Sequence, residues 1–274
     1  MDKYFDMKTI TLIKVEHDIK VGKDCPYHEP NITEDCLLEV DGEIVGFYIK
    51  DVKEYNERLS LLMAVANKEF RSDNVPKSLL ERSDVMTNVK NGMTRKQAKE
   101  EGTVQMSTIL GSIPPKPHMR RPYPNISSVH RDNKAQTFIK AMWAASVESE
   151  NIIKQLTPHI YKSQLELFKE VDKKWRFGNM FTSSISNFNI AAAYHRDTGN
   201  IVGAVNVILT KRNNANGGSL NVPDYNVTFE QADNSMLVYP AWKNIHGVTP
   251  IIKTAEDGYR NSLIFYPLKA FKGL

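Results

Sequence analysis

The sequence predicts an α+β protein whose core is a double-stranded β-helix (jelly roll), with N-terminal strands and buttressing helices around it. Three observations lead there. From Gly178 onward the chain breaks into short apolar runs separated by Gly, Asn, Asp or Pro, the texture of a two-sheet or barrel architecture. Residues 134–175 contain two amphipathic stretches of helix length. The first fifty residues are again strand-like, with CLLEVDGEIVGFYIK reading as a hairpin about Asp41-Gly42.

Taken in order, TITLIKVEHDIKV alternates in part, and the hairpin follows. Val52 to Phe70 reads as a helix, with Leu59, Leu62, Met63, Val65 and Ala66 on a broad apolar face. Residues 71–105 are polar and charged, either a surface helix or a mobile insert. In STILGSIPPKPHMRRPYPN, residues 107–125, Pro114, Pro115, Pro117, Pro122 and Pro124 forbid a long helix and impose an extended, basic loop. AQTFIKAMWAASVESENIIKQL is amphipathic, and Thr157-Pro158 opens a second helix with proline at its first position. The strand candidates are SSISNFNIAAAYH, IVGAVNVILTK, GGSLNVP, YNVTFEQ, SMLVYP, VTPII and RNSLIFYPL. The expected organisation is an N-terminal α+β portion, 1–105, packed on a core, 106–274, that comprises the loop, the helices 134–175 and the β-helix 178–268.

Composition sets wide bounds. The 274 residues are 41% hydrophobic and 25% charged, as in an ordinary globular protein with a real core. Thirty-six Lys and Arg against 32 Asp and Glu give a net charge of +4, which permits contact with nucleic acid without demanding it. Cys25 and Cys36 flank CPYHEPNITEDC with His28 between them: a metal site, a disulfide, or two thiols in a reducing compartment. No second ligand pair at short spacing accompanies them, which argues against zinc. No run of 18 apolar residues occurs, and MDKYFDMKTITLIK lacks a secretory h-region. The expectation is a cytoplasmic monomer with no membrane contact.

The chemistry concentrates in His195-Arg196-Asp197. On a strand, residues i and i+2 share a face, so His195 and Asp197 can point into one barrel interior, with the turn DTGN placing them at its mouth. His246 in NIHGVTPI would complete a two-histidine, one-carboxylate set, which binds Fe(II) and leaves three positions open. Arg260 follows fourteen residues later with Ser262 on its strand face, suited to the distal carboxylate of a dicarboxylate such as 2-oxoglutarate. Each feature has an ordinary alternative: a solvated turn for His195 and Asp197, a core histidine on a backbone carbonyl for His246, an ion pair with Glu256 or Asp257 for Arg260. Their order within a β-rich half favours a site for Fe(II), 2-oxoglutarate and dioxygen.

The segments YHRDTGNIVG, GGSLNVP, MLVYPAWKNIHGVTPI and YRNSLIFYPL resemble the Fe(II)/2-oxoglutarate dioxygenases, and more narrowly the TET/JBP family, which oxidises the methyl group of 5-methylcytosine or thymine in nucleic acid. The GG-x-L-x-x-P step, the H-G-x-x-P around the second histidine and the R-x-S after it carry the resemblance, over residues 178–268. The segment STILGSIPPKPHMRRPY also looks like the basic, proline-containing loop upstream of that family's catalytic core. The resemblance implies His195, Asp197 and His246 as catalytic iron ligands and Arg260 and Ser262 as the 2-oxoglutarate clamp. It implies a DNA partner containing a 5-methylpyrimidine, and conversion of 5-methylcytosine to 5-hydroxymethylcytosine or beyond. A thymine-methyl hydroxylase, or a small-molecule or protein side-chain hydroxylase, stand as alternatives on the same fold. Two cysteines cannot rebuild the cysteine-rich region of animal TET enzymes, so the chain looks like a compact bacteriophage or bacterial member, placed in the host cytoplasm if phage-encoded.

For the substrate, Lys116, Arg120 and Arg121 with Tyr123 offer cations and an aromatic on one loop. Lys211 and Arg212 in TKRNNANGG form a second basic loop, expected near the barrel mouth. Both loops read equally as solvated surface. Asn189 is either a pocket residue or a turn residue, and Trp242 packs the pocket or the core.

Overall fold

A computed structural model describes residues 7–80 and 83–274. The N-terminal part runs β1 (Lys8–Thr11), β2 (Cys36–Val40), β3 (Glu43–Ile49), α1 (Glu57–Arg71), β4 (Ser78–Leu79), α2 (Asp84–Lys90) and α3 (Arg95–Glu101). Next come β5 (Met106–Ile113), β6 (Asn125–Ile126), α4 (Gln136–Leu156) and α5 (Pro158–Leu167). The β-rich half comprises β7 (Ser183–Phe188), β8 (Ala192–His195), β9 (Asn206–Asn213), β10 (Ala215–Gly217), β11 (Leu220–Val222) and β12 (Val227–Phe229). It ends with β13 (Met236–Tyr239), β14 (His246–Val248), β15 (Ile251–Lys253) and β16 (Tyr259–Tyr266).

The strands form a ten-stranded sheet in the order β1-β2-β3-β13-β9-β16-β7-β5-β4, with β6 on β5, and a four-stranded sheet β12-β11-β14-β8. A small β10-β15 pair stands apart from both. This is the expected jelly roll with its larger sheet extended at both edges. The N-terminal hairpin joins it directly, because β3 pairs antiparallel with β13. Asp41 and Gly42 both take positive φ in the turn, as a tight hairpin requires. Gly46 lies where β3 crosses the backbone of β13, and a Cβ there would overlap the Val238 carbonyl oxygen.

The larger sheet separates two apolar regions by strict alternation. Val207 and Leu209 of β9 and Leu263 and Phe265 of β16 face the helices, where they pack with Leu59, Met63 and Phe70 of α1 and Phe138, Met142 and Ile153 of α4. Burial of each such side chain contributes roughly 1.5–3 kcal/mol. The opposite face of the same strands looks toward the smaller sheet. There Ile208, Leu237 and Tyr239 meet Leu220, Val222 and Phe229. Local signals fix the helix ends: the Asn56 side chain accepts from Leu59 N, and Pro158 occupies the first turn of α5.

Three expectations need correction, and a fourth, the helix-or-insert alternative for 71–105, is decided in favour of helix. Residues 107–113 are not loop but β5, a strand between β7 and β4, because the prolines begin only at Pro114 and Thr108, Leu110 and Ser112 alternate inward. SSISNFNIAAAYH is two strands in two different sheets, turned at Asn189 with φ 54°. VTPII is likewise divided, between β14 and β15. The segment 71–105 holds two short helices capped by the Ser83 and Thr94 side chains. One buried carboxylate ties the helical layer to the barrel: Glu150 of α4 accepts from Asn179 N at 2.7 Å, Asn179 Nδ2 at 2.7 Å and Met180 N at 3.2 Å.

Candidate active site

The antiparallel register of β8 and β14 sets His195 opposite His246, with ring centroids 4.4 Å apart. Each ring is oriented by the carbonyl two residues before it: His195 Nδ1 lies 2.8 Å from Ala193 O, and His246 Nδ1 lies 3.1 Å from Asn244 O. A carbonyl only accepts, so this network assigns the proton to Nδ1 on both rings and leaves both Nε2 lone pairs facing the cavity. Burial, reinforced by the neighbouring His195, holds the His246 pKa below its ordinary value and favours the neutral, ligating form.

Asp197 follows the end of β8. Its N–H donates to Ala241 O at 3.1 Å, and its Oδ1 lies 3.6 Å from His195 Nε2. Its Oδ2 accepts from Asn206 Nδ2 at 2.8 Å, while Asn206 Oδ1 accepts from Asn200 Nδ2 at 2.8 Å. Ligand atoms of His195, Asp197 and His246 all lie within 4.8 Å of one another, the one such three-residue group among the described residues. Two imidazole nitrogens and one carboxylate oxygen on one side of a potential ion suit Fe(II) and leave its other side open.

These three residues line a cavity of about 410 Å³ between the two sheets, and Arg260 and Ser262 line it too. Arg260 is 3% exposed. Its NH1 donates to Ser262 Oγ at 3.2 Å and its NH2 to Gln231 Oε1 at 3.5 Å, while Nε has no partner. The anticipated alternative, an ion pair with Glu256 or Asp257, does not form: the Asp257 carboxylate instead accepts from the Asn213 and Asn214 side chains. Burial, with Arg212 nearby, pushes the Arg260 guanidinium down to about 9. A buried cation without a carboxylate is an unstable arrangement that a bound dicarboxylate would complete. The residues present therefore fit both an Fe(II) ion and 2-oxoglutarate.

Other expected residues fall elsewhere. Asn189 is a corner residue: its Oδ1 accepts from Arg260 N at 2.9 Å and its N–H donates to Arg260 O at 2.8 Å. The cavity position belongs to Asn187, two residues earlier and opposite Ser262 in the register. Lys211 and Arg212 are not in a loop at the mouth but in β9. The Asn206 end of β9 carries the Asp197 contact, and Lys211 lies about 17 Å further along the strand at ~3.3 Å per residue. Lys211 pairs with Asp233 at 2.7 Å, and Arg212 donates to the carbonyls of Gly217, Gln231 and Ala215. Neither Cys25 nor Cys36 is in a disulfide. Cys25 packs beneath Gly247, where a Cβ would come within 2.7 Å of its own Cβ.

Lys116 and Arg121 clasp each other through backbone bonds, Lys116 N to Arg121 O at 2.6 Å and Arg121 N to Lys116 O at 3.1 Å. Arg120 and Arg121 are exposed, and Tyr123 is 79% exposed. The register places this small hairpin. Gly111 of β5 pairs with Ser183 of β7, Ser183 pairs with Tyr266 of β16, and Asn206 pairs with Tyr239 of β13. Tyr239, Asn206 and Tyr266 line the cavity at the Asp197 end, so the hairpin leaves the sheet at the end that carries the His-Asp-His set. Asn187, Asn200, Asn206 and Tyr239 were not anticipated. The polar Asn206 inside the apolar run AVNVIL was the available signal.

Residues 118–269 match the Tet_JBP family, described as the oxygenase domain of the 2OGFeDO superfamily. No curated protein matches the chain by sequence. Among solved structures, NgTET1 in complex with 5mC DNA is similar with a TM-score of 0.59 and 14% identity, covering 98% of this chain and 84% of that one. A 2OG-Fe(II) oxygenase family oxidoreductase from Burkholderia pseudomallei has a TM-score of 0.44 and 10% identity, covering 75% and 76%. A 2OG-Fe(II) oxygenase family protein from Caulobacter crescentus has a TM-score of 0.43 and 10% identity, covering 81% and 76%. The family match spans more than half of the chain, and the NgTET1 likeness shows the same fold. The chain belongs to the TET/JBP family of 2-oxoglutarate- and Fe(II)-dependent oxygenases and is an enzyme that uses Fe(II), 2-oxoglutarate and dioxygen.

Proposed function

We propose that this oxygenase hydroxylates the methyl group of 5-methylcytosine in DNA, giving 5-hydroxymethylcytosine. The observation that carries the reading is the meeting, in one cavity of a TET/JBP chain, of the His-Asp-His set and a buried guanidinium with no acid of its own. The likeness to NgTET1, whose structure holds 5mC DNA, supports the choice of substrate.

In this reading Nε2 of His195, Nε2 of His246 and a carboxylate oxygen of Asp197 hold the iron, and Arg260 with Ser262 binds the distal carboxylate of 2-oxoglutarate. When bound, the two together activate dioxygen to hydroxylate a C–H bond, releasing succinate and carbon dioxide. The protein supplies orientation and dryness. Asn206 fixes the rotation of the Asp197 carboxylate, and Ile185, Ile208, Leu220 and Ile264 give the cavity apolar walls that exclude water. A methyl group stacked within a duplex is out of reach of such a cavity, so the target base is flipped or already single-stranded. Lys116, Arg120 and Arg121 then contact phosphates at the mouth, with Tyr123 free to stack on a base.

The test is incubation with Fe(II), 2-oxoglutarate and methylated duplex or single-stranded DNA, followed by digestion and mass spectrometry of the nucleosides. 5-Hydroxymethylcytosine is expected. Its absence, with succinate released in the presence of small molecules instead, refutes the substrate. 5-Hydroxymethyluracil in its place moves the substrate to thymine.

A further inference from the structure

A second cleft borders the site and shares Arg196 with the central cavity. It has a volume of about 440 Å³ and is lined by Lys14, Arg196 and Lys243, with Asp41, Asp224 and Asn244 among its other walls. Arg196 separates His195 from Asp197, and Lys243 lies three residues before His246. Thr198, two residues after Arg196, already lines the central cavity. With successive Cα atoms ~3.8 Å apart, the cleft adjoins the cavity mouth.

The charge of this cleft is unbalanced. Lys14, Arg196 and Lys243 are all exposed, and among the described residues none of their side chains has a hydrogen-bond or ion-pair partner. Some other cations are paired, Lys211 with Asp233, Lys169 with Glu166 and Lys272 with Glu170, while others such as Lys90 and Lys96 are not. The Asp224 carboxylate is engaged within the fold, 2.7 Å from His17 Nε2 and 2.5 Å from Asn244 Nδ2. Burial pushes its pKa up, but the Asn244 and His17 bonds, helped by the nearby Arg196 charge, outweigh that and keep it ionised. Asp41, in the hairpin turn, is the one other acid of the lining. Three exposed cations without hydrogen-bond or ion-pair partners thus lie where the β1 and β2–β3 edge of the larger sheet meets the smaller sheet, while Lys116, Arg120 and Arg121 stand on the hairpin that follows β5, near the larger sheet's other edge.

We infer that the Lys14–Arg196–Lys243 cleft is a phosphate-binding surface for the DNA strand, opposite the hairpin, so that the strand crosses the mouth between two basic banks. The inference rests on the substrate reading above. It assigns backbone contacts, which position the strand and carry no sequence preference. Arg196 lines both this cleft and the central cavity and so joins the two.

The experiment measures binding of a fluorescent methylated oligonucleotide by anisotropy between 50 and 200 mM salt, using the full chain. Each phosphate contact contributes roughly 0.7–0.9 to the slope of log K against log salt. The Lys14→Ala/Lys243→Ala double variant is therefore expected to bind with a slope shallower by about 1.4–1.8, and Lys14→Arg/Lys243→Arg to keep the wild-type slope. A control pair, Lys90→Ala/Lys96→Ala on α2 and α3, lines neither cavity nor cleft and should leave the slope unchanged. A thermal melt checks that each variant is folded. An unchanged slope in the alanine pair, or an equal loss in the control pair, overturns the inference while leaving the substrate reading standing. Wild-type protein that binds no DNA at any of these salt concentrations removes both.

Discussion

Replacing Arg260 by methionine should make the ligand-free protein more stable and at the same time insensitive to 2-oxoglutarate. Arg260 is buried, and burial pushes its guanidinium down to about 9. A drop of roughly three pH units or more, at about 1.4 kcal/mol each, puts the cost of the enclosed charge on the order of 5 kcal/mol. Against this stand two hydrogen bonds, to Ser262 at 3.2 Å and Gln231 at 3.5 Å, worth about 1 kcal/mol each. Methionine keeps the aliphatic length and removes the charge, so a net gain of about 3 kcal/mol is expected, within the range seen when buried ions give way to apolar residues. For a chain of this size that is an increase of about 6–12 °C in the melting midpoint. The folded-state pKa is lower than the unfolded one, so the cost is fully present below pH 9 and fades as pH rises above it. The advantage of Arg260→Met should therefore be constant from pH 7 to 9 and shrink above. With Mn(II) in place of iron, 2-oxoglutarate at one hundred times its Kd should stabilise the wild type by about 2.7 kcal/mol and the variant not at all. The assay is thermal melting across pH, with and without the co-substrate. A variant that melts below wild type without ligand, or one that retains the 2-oxoglutarate increment, refutes the assignment of Arg260 as an anion-seeking charge.

Three further outcomes are expected. Asn206→Leu removes the donor to Asp197 Oδ2 and should weaken metal binding about 10–100-fold in a Co(II) absorption titration; unchanged affinity would show that the carboxylate needs no external orientation. Asp197→Ala and His246→Ala should each abolish Fe(II)-dependent succinate formation while the metal-free protein still melts cooperatively, and turnover by either variant counts against the ligand set. Glu150→Ala strands the N–H groups of Asn179 and Met180 and should lower stability by about 3 kcal/mol in urea unfolding, with a loss under 1 kcal/mol contradicting the role given to that carboxylate.

The features legible in the sequence were those governed by short-range periodicity. His195 and Asp197 share a face because strands repeat every two residues, and Arg260 with Ser262 obeys the same rule. Asp41-Gly42 and Pro158 announced themselves by backbone preference. What failed depended on pairing between distant strands. Lys211 and Arg212 follow an apolar run and precede Asn and Gly, so they read as a loop at the mouth. Only the antiparallel register of β9 with β16, which sets Arg212 opposite Arg260, shows that they lie at the other end of the barrel. β5 was obscured by the prolines that follow it. The corner at Asn189 was hidden because the residue that breaks SSISNFNIAAAYH is an asparagine in a left-handed conformation rather than glycine or proline. Asn206 acquires meaning only once Asp197 is brought against it.

The two imidazoles are oriented by carbonyls of Ala193 and Asn244, each two residues upstream on the same chain segment. Among the described residues no distant side chain hydrogen-bonds to Nδ1 of either ring. The histidine ligands are in this sense self-aiming: any strand that delivers the backbone delivers a correctly turned nitrogen with it. Such a centre is portable. It can persist while the surrounding barrel exchanges nearly all of its side chains. The carboxylate is the exception, since its rotation depends on Asn206 from another strand, and drift in this site should be looked for there first.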